Sequence, residues 1–319
     1  MKRTRGETAV NLAHAPGERW RLTWSQRRLS RSLVKAYLRD LGAGDELAAL
    51  AEQAARDVVP ARFVEEMEGI AGQLGMPFRS IAVANLYYDA LKFAWGCTAM
   101  AFDTKDGPVH ARNLNWWTEN RLLNHGTMVS RFEGCGAGSF ITVGWPGFIG
   151  ALSGVAPGRF AITLNAVLSE APPTVALPVV FLIRDVFETC STFDEAVRRL
   201  AETPVASDSL LLVTGASRGE MVVIEPTPTS NALRHPEHGA VWVANDYKLI
   251  DAGTGAPGSD LQATSCGRYD RVGRLLEERF PQSLHESLAY LSDPEIKMAI
   301  TVQQMAFAAH SGEYAIRIP

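Results

Sequence analysis

The sequence predicts an α+β chain in which a helical segment precedes a β-rich one. Two observations carry this. Over the first hundred residues apolar side chains recur at helical spacing, and glycine or proline closes each run; from Cys97 onward short strand-like runs alternate with turn signals. In order, helices are expected at Leu29–Leu41, stopped by Gly42, and from Asp45 as cap through Val59, ended by Pro60. A third spans Ala61–Leu74 before Gly75 and Pro77, and a fourth, capped by Ser80, runs IAVANLYYDALKFAW to Gly96. Strands follow as CTAMAFD and PVHARNL around the turn TKDG, then MVSRFEG, SFITVGW, RFAITLN, LLLVTG, EMVVIEP, AVWVAND and the final KMAITVQQMAFAAHSGEYAIRI. Helices near Val179–Ser191, Phe193–Thr203 and Arg268–Arg279 interrupt them. The two textures meet at the Gly96–Cys97 bond, where a processed precursor would divide into 1–96 and 97–319.

Composition narrows the function classes. With 46% hydrophobic and 21% charged residues in 319, the chain suits a soluble globular protein. A net charge of −4 argues against a general nucleic-acid partner, which needs a basic face. Four cysteines (Cys97, Cys135, Cys190, Cys266) form no CxxC pair, so neither a disulfide scaffold nor a zinc site is expected, and reduced thiols in a cytoplasm are the simpler reading. No P-loop or HExxH is present, no cofactor is expected, and no apolar run has the length to span a bilayer. Residues 1–35 carry nine Lys or Arg against Glu7 and Glu18. Such a segment is either a solvated arm packed on the domain or a peripheral contact for an anionic membrane.

The hairpin places chemistry at one strand end. With a two-residue turn within Lys105–Gly107, facing residues have numbers summing to an odd total, so Cys97 and Arg112 project from the same face. Asn113 and Asn115 lie where the second strand leaves, and thiol, cation and amides are expected to converge there. A cysteine that becomes a chain terminus gains its own α-amine, ordinarily of pKa about 7.7–8.0, as acceptor of the thiol proton. Before cleavage the same thiol can attack the Gly96 carbonyl, and glycine tolerates the dihedrals this requires. By itself, a cysteine on an apolar strand equally fits an inert core residue.

The run of motifs decides between these. VNLAHAPGERW at 10–20, EEMEGIAGQLGMPFRSIAVANLYYD at 65–89, CTAMAFDTKDGPVHARNLN at 97–115, GWPGFIGALSGVAPGRFAITLN at 144–165, VWVANDYK at 241–248 and SCGRYDR at 265–271 occur in order. Together they resemble the acid ceramidase and N-acylethanolamine-hydrolysing acid amidase family, relatives of the acyl-CoA:6-aminopenicillanic acid acyltransferases. The resemblance implies an αββα four-layer sandwich of N-terminal-nucleophile (Ntn) type with a helical N-terminal segment. It implies cleavage between Gly96 and Cys97, Cys97 as nucleophile, and Arg112 as the arginine beside it. Asn245 is implied as an oxyanion donor, Asn165 as the source of a second donor, and Arg268 as a second site arginine. Its implied substrate is a small N-acyl amide or acyl thioester, with the two fragments remaining associated.

This chain departs from the family pattern twice. Relatives carry aspartate where Asn115 stands, to hold the nucleophile's amine, and the lipid amidases have glutamate where Ala166 follows Asn165. Aromatic residues Phe93, Trp95, Trp116, Trp117, Trp145 and Phe148 cluster near the site in sequence, as core or as an apolar pocket. A rival signal, Gly215-Ala216-Ser217-Arg218-Gly219 with His310, matches GxSxG, but EMVVIEP after it reads as a strand where that motif needs a helix. Ser32 and Lys35 match SxxK without its partner motifs. Two further alternatives stay open: acyl transfer from Cys97 to an amine, and a non-catalytic homologue that keeps the fold for binding.

Overall fold

The computed structural model describes residues 6–42, 44–90, 95–116, 118–169, 174–251 and 263–319. Helix α1 (Trp24–Asp40) starts at a reciprocal cap, in which Thr23 accepts from the Gln26 N–H and the Gln26 side chain accepts from the Thr23 N–H. Helices α2 (Asp45–Val58), α3 (Ala61–Leu74) and α4 (Phe78–Ala90) follow, and Gly75, at φ 61°, ends α3 in the left-handed conformation that glycine adopts freely.

Two features of this segment differ from the sequence expectation. Glu7–Asn11 forms a strand, β1, with Thr8 and Val10 buried and their neighbours exposed. The fourth helix is described as far as Ala90, residues 91–94 of its expected span lie outside the described residues, and Trp95 is not helical. Trp95 and Gly96 instead open strand β2 (Trp95–Asp103), paired with Trp116 and Asn115. Pairing along a neighbouring strand overrides the helical spacing of the local sequence.

Strand β3 (Pro108–Trp116) returns antiparallel to β2. A short helix α5 (Leu122–Gly126) leads to β4 (Met128–Glu133), β5 (Phe140–Gly144), β6 (Ser153–Ala156) and β7 (Phe160–Asn165). Helices α6 (Val179–Thr189) and α7 (Phe193–Glu202) precede β8 (Leu210–Gly215), β9 (Met221–Pro226), β10 (Asn231–Arg234) and β11 (Ala240–Val243). Helices α8 (Ser265–Glu278) and α9 (Leu284–Tyr290) and strands β12 (Thr301–Ala308) and β13 (Glu313–Arg317) complete the chain. Strands β6 and β10 and helix α9 were not expected from the sequence. The GASRG segment turns directly from β8 into β9, a strand–turn–strand that lacks the helix a nucleophile elbow needs.

The strands form two sheets, ordered β1-β4-β5-β6-β7-β8-β9-β10 and β11-β2-β3-β12-β13. β2 and β3 face β7 and β8 across the interior, while α8 and α9 cover the outer face of the smaller sheet. On the other side Phe187 of α6 stacks on Phe140 and Phe160, and α7 lies over β8 and β9. The layers are therefore αββα.

The N-terminal segment belongs to the same interior. β1 pairs parallel with β4, Phe63 of α3 stacks on Phe181 of α6, and one apolar cluster contains Val10, Leu33, Phe63, Cys97 and Phe160. Inside it, Glu66 accepts from Arg19 at 2.9 Å, Trp20 Nε1 at 2.6 Å and Arg184 at 3.1 Å.

Candidate active site

Strand register sets the centre. Cys97 pairs with Leu114 and Ala99 with Arg112, so the thiol and the guanidinium share the face turned to the larger sheet. Arg112 Nη2 donates to Cys97 Sγ at 3.1 Å and to the Leu164 carbonyl, while Nη1 donates to the Leu152 carbonyl at 2.9 Å and to Ser153 Oγ. Cys97 and Arg112 are each 1% exposed. Among the described residues no carboxylate pairs with Arg112, so its charge is directed at the sulfur, a hydroxyl and carbonyl dipoles.

The same parity sends the amides away. Asn113 and Asn115 project from the opposite face of β3, which corrects the expectation that they converge on the thiol. Asn115 Oδ1 accepts from Thr301 Oγ1 at 2.7 Å, and Asn113 Nδ2 donates to the Leu291 carbonyl at 2.8 Å. The Nδ2 of Asn115 is buried and has no hydrogen-bond partner among the described residues.

Asn245, just past the end of β11, reaches the other side of the nucleophile. Its Oδ1 accepts the Cys97 N–H at 3.0 Å and Arg268 Nη2 at 2.8 Å. Both partners are donors only, which fixes the oxygen's place in the amide. Arg268 also donates to the Cys97 carbonyl at 2.5 Å and to Thr98 Oγ1 at 2.8 Å. Burial lowers the Arg268 pKa, opposed by Cys97 and Asp246.

The Nδ2 of Asn245 donates to the Ala166 carbonyl at 2.6 Å, and the Nδ2 of Asn165 to those of Ala244 at 2.9 Å and Val243 at 3.3 Å. The two asparagines thus tie β7 to β11 reciprocally, and in this uncut arrangement both amide donors are held by carbonyls. Asn165 Oδ1 is buried and has no partner among the described residues.

The loop after Asn245 is pinned as well. Glu225, 0% exposed, accepts from the Lys248 and Leu249 N–H groups at 2.9 Å each. His110 lies two residues along the inner face from Arg112, between Thr163 Oγ1 at 2.7 Å and Thr214 Oγ1 at 3.3 Å. Burial, and secondarily the Arg112 charge, push its pKa down to about 3, leaving a neutral imidazole bonded to hydroxyls.

The aromatic residues pack among themselves. Trp116 meets Trp145 edge to face at 5.1 Å and stacks with Tyr37 and Tyr87, and Trp145 meets Phe148 at 6.4 Å. Trp116 also borders a cavity of about 480 Å³ with Thr118, Asn124 and Thr301. Phe93, Trp117 and the side chain of Trp95 lie outside the described residues. A groove of about 1360 Å³ sits at the far end of the hairpin, bordered by Asp106, His285 and His310, and none of the expected site residues lines it. Among the described residues no cluster of His, Cys, Asp or Glu has the makings of a metal site. Thr98, Ser153 and Ser265, all bonded to the centre, were given no role from sequence although each lies in one of the quoted motifs, Ser265 one helical turn before Arg268.

Two stacked sheets with outer helices, and a cysteine near the start of a central strand, define the fold of the Ntn hydrolases. The chain belongs to the acyl-coenzyme A:6-aminopenicillanic acid acyl-transferase family, whose model matches residues 102–305. It is 29% identical over 229 residues to the N-acylethanolamine-hydrolyzing acid amidase of Caenorhabditis elegans, covering 66% of this chain and 63% of that protein. To the acid ceramidase of Balaenoptera acutorostrata scammoni it is 25% identical over 246 residues, covering 67% and 62%. The chain thus spans less than two thirds of the length of these relatives. A solved structure of the Caenorhabditis elegans amidase ortholog superposes with a TM-score of 0.54 at 22% identity, covering 67% of this chain and 93% of that one, which establishes the shared fold.

Proposed function

We propose that this chain is a self-processing N-terminal-cysteine amidohydrolase acting on an N-acyl amine. The observation that carries the reading is the double hold on Cys97: Arg112 on its sulfur at 3.1 Å and Asn245 on its nitrogen at 3.0 Å. In processing, Sγ attacks the Gly96 carbonyl, the Gly96–Cys97 C–N bond breaks, and water hydrolyses the resulting thioester. This leaves a Gly96 carboxylate and a free Cys97 α-amine. In turnover that amine takes the thiol proton, the thiolate attacks the substrate carbonyl, and the amine product leaves with the proton. Water then releases the acid from the acyl thioester. Asn245 serves the developing oxyanion once its Nδ2 turns from the Ala166 carbonyl, with Asn165 beside it.

The names of the relatives support an N-acyl amine as substrate, and the family name supports a second reading in which an amine replaces water as acceptor. The shared core supports fragments that stay together after the cut. Peripheral contact with an anionic membrane is supported by α1, where Trp24 is 74% exposed, Arg28 lies over its ring at 5.8 Å, and Arg31 and Lys35 continue the outer stripe.

Intact mass tests the proposal first. Wild-type protein should resolve into 1–96 and 97–319 while Cys97→Ala remains one chain; active protein that stays uncut overturns the mechanism. A panel of N-acyl amides, assayed with and without a free amine, separates hydrolysis from transfer. Sedimentation with phosphatidylserine vesicles, lost on Arg28→Glu with Lys35→Glu, tests the membrane contact.

A further inference from the structure

The first turn of α8 grips Asn245 at both ends. Ser265 and Arg268, three residues apart, share a helix face. Arg268 bonds the Asn245 side-chain oxygen, while Ser265 Oγ accepts the Asn245 backbone N–H at 2.8 Å and donates its own proton to Asp246 Oδ2. Chemistry fixes both directions, because the amide only donates and the carboxylate only accepts. Ser265 is 0% exposed. A serine entering a helix ordinarily caps its free N–H groups, yet α8 has no side-chain cap and this hydroxyl turns back onto residues 245–246.

We infer that Ser265 is a positioning residue for the proposed reaction, with Asp246 orienting its hydroxyl. The inference rests on the reading of Cys97 and Asn245 given above. Ser265 touches neither the thiol nor its carbonyl; it fixes the backbone from which the Asn245 amide reaches Cys97. Without it, Arg268 still holds the amide oxygen, but the main chain behind the amide loses its anchor. A displacement of an ångström at such a group costs up to about a hundredfold in rate.

The test uses the full-length protein as purified, with four variants: Ser265→Ala, Asn245→Ala, their double, and Asp246→Asn. Ser265→Ala should lower kcat by about ten- to a hundredfold with KM held within about twofold and the melting temperature little changed. The double variant should be no slower than Asn245→Ala, since Ser265 acts only through that residue. Asp246→Asn keeps an acceptor for the hydroxyl and should retain most activity. Hydrogen exchange at the Asn245 amide gives a readout independent of turnover, and Ser265→Ala should accelerate it. Unchanged exchange, or an equal loss from Ser265→Ala in the Asn245→Ala background, overturns the inference. Faster exchange in a protein with no amidase activity at all would keep the clamp and refute the catalytic reading instead.

Discussion

Arg184 and Arg112, each at most 1% exposed beside the larger sheet, have opposite surroundings. Arg184 of α6, 0% exposed, meets the Glu66 carboxylate at 3.1 Å and Glu188 at 2.6 Å, donates to the Ile149 carbonyl at 2.8 Å, and lies 4.1 Å over the Phe132 ring. Arg112 of β3 has a thiol, a hydroxyl and two carbonyls, and no carboxylate among the described residues. A charge taken from water costs several kcal/mol unless it is paired. Arg184 is neutralised, so its contribution is structural, joining α3 to α6. Arg112 keeps its charge, and the field of that charge falls on Cys97. The contrast separates an arginine that holds the fold from one kept for chemistry.

The largest expected effect breaks the first half of the comparison. Arg184→Met leaves the buried Glu66 carboxylate to Arg19 and Trp20 alone and should cost about 3 kcal/mol in chemical denaturation. Adding Glu66→Gln should recover much of that loss. Arg112→Met should instead leave stability within about 2 kcal/mol, because it removes an uncompensated charge, while abolishing most turnover. If both variants unfold equally, the division of roles fails.

Asn245→Ala comes next. Removing one oxyanion donor costs about 10²–10³ in kcat, and a loss under about threefold would mean that another group does this work.

Burial, with the Arg112 charge second, pushes the His110 pKa down to about 3 against the ordinary 6.5. The unfolded chain takes up a proton that the fold refuses, so stability is complete above pH 6.5 and declines as pH falls toward 3. One pH unit below 6.5 the penalty approaches about 1.4 kcal/mol, visible as a falling urea midpoint that His110→Gln should flatten.

The smallest effect is at Asn115. Asn115→Asp keeps the acceptor for Thr301 and adds charge one residue from the new terminus. It should speed precursor cleavage by a few-fold, about 1 kcal/mol or less, in a time course followed by intact mass. A folded, cleaved variant without activity would show that the neutral amide is required.

Much of the fold was legible because its signals are local. Gly75 and Pro60 bound helices where expected, and the odd-sum register of the hairpin brought Arg112 to Cys97. The same rule, carried one residue further, would have turned Asn113 and Asn115 away. Trp95 read as helical because only its pairing with Trp116 makes it a strand. Short elements such as β1, β6 and β10 offer four or five residues of pattern, too few to distinguish from loop. Ser265 was missed for another reason: a serine's role depends on where its one proton goes, and that is settled by Asp246 in space rather than by neighbours in sequence.

The parallel strand β1 carries one more consequence. If the chain is cut at Gly96–Cys97, the shorter piece is not a subunit resting on a finished surface, since it supplies an edge strand, four helices and half of a buried ion network to the longer one. Parting the two would expose what is now interior, so dissociation and unfolding become a single event. Dilution should then leave the cut protein active at nanomolar concentration. A denaturing gel would show two bands where gel filtration shows one particle.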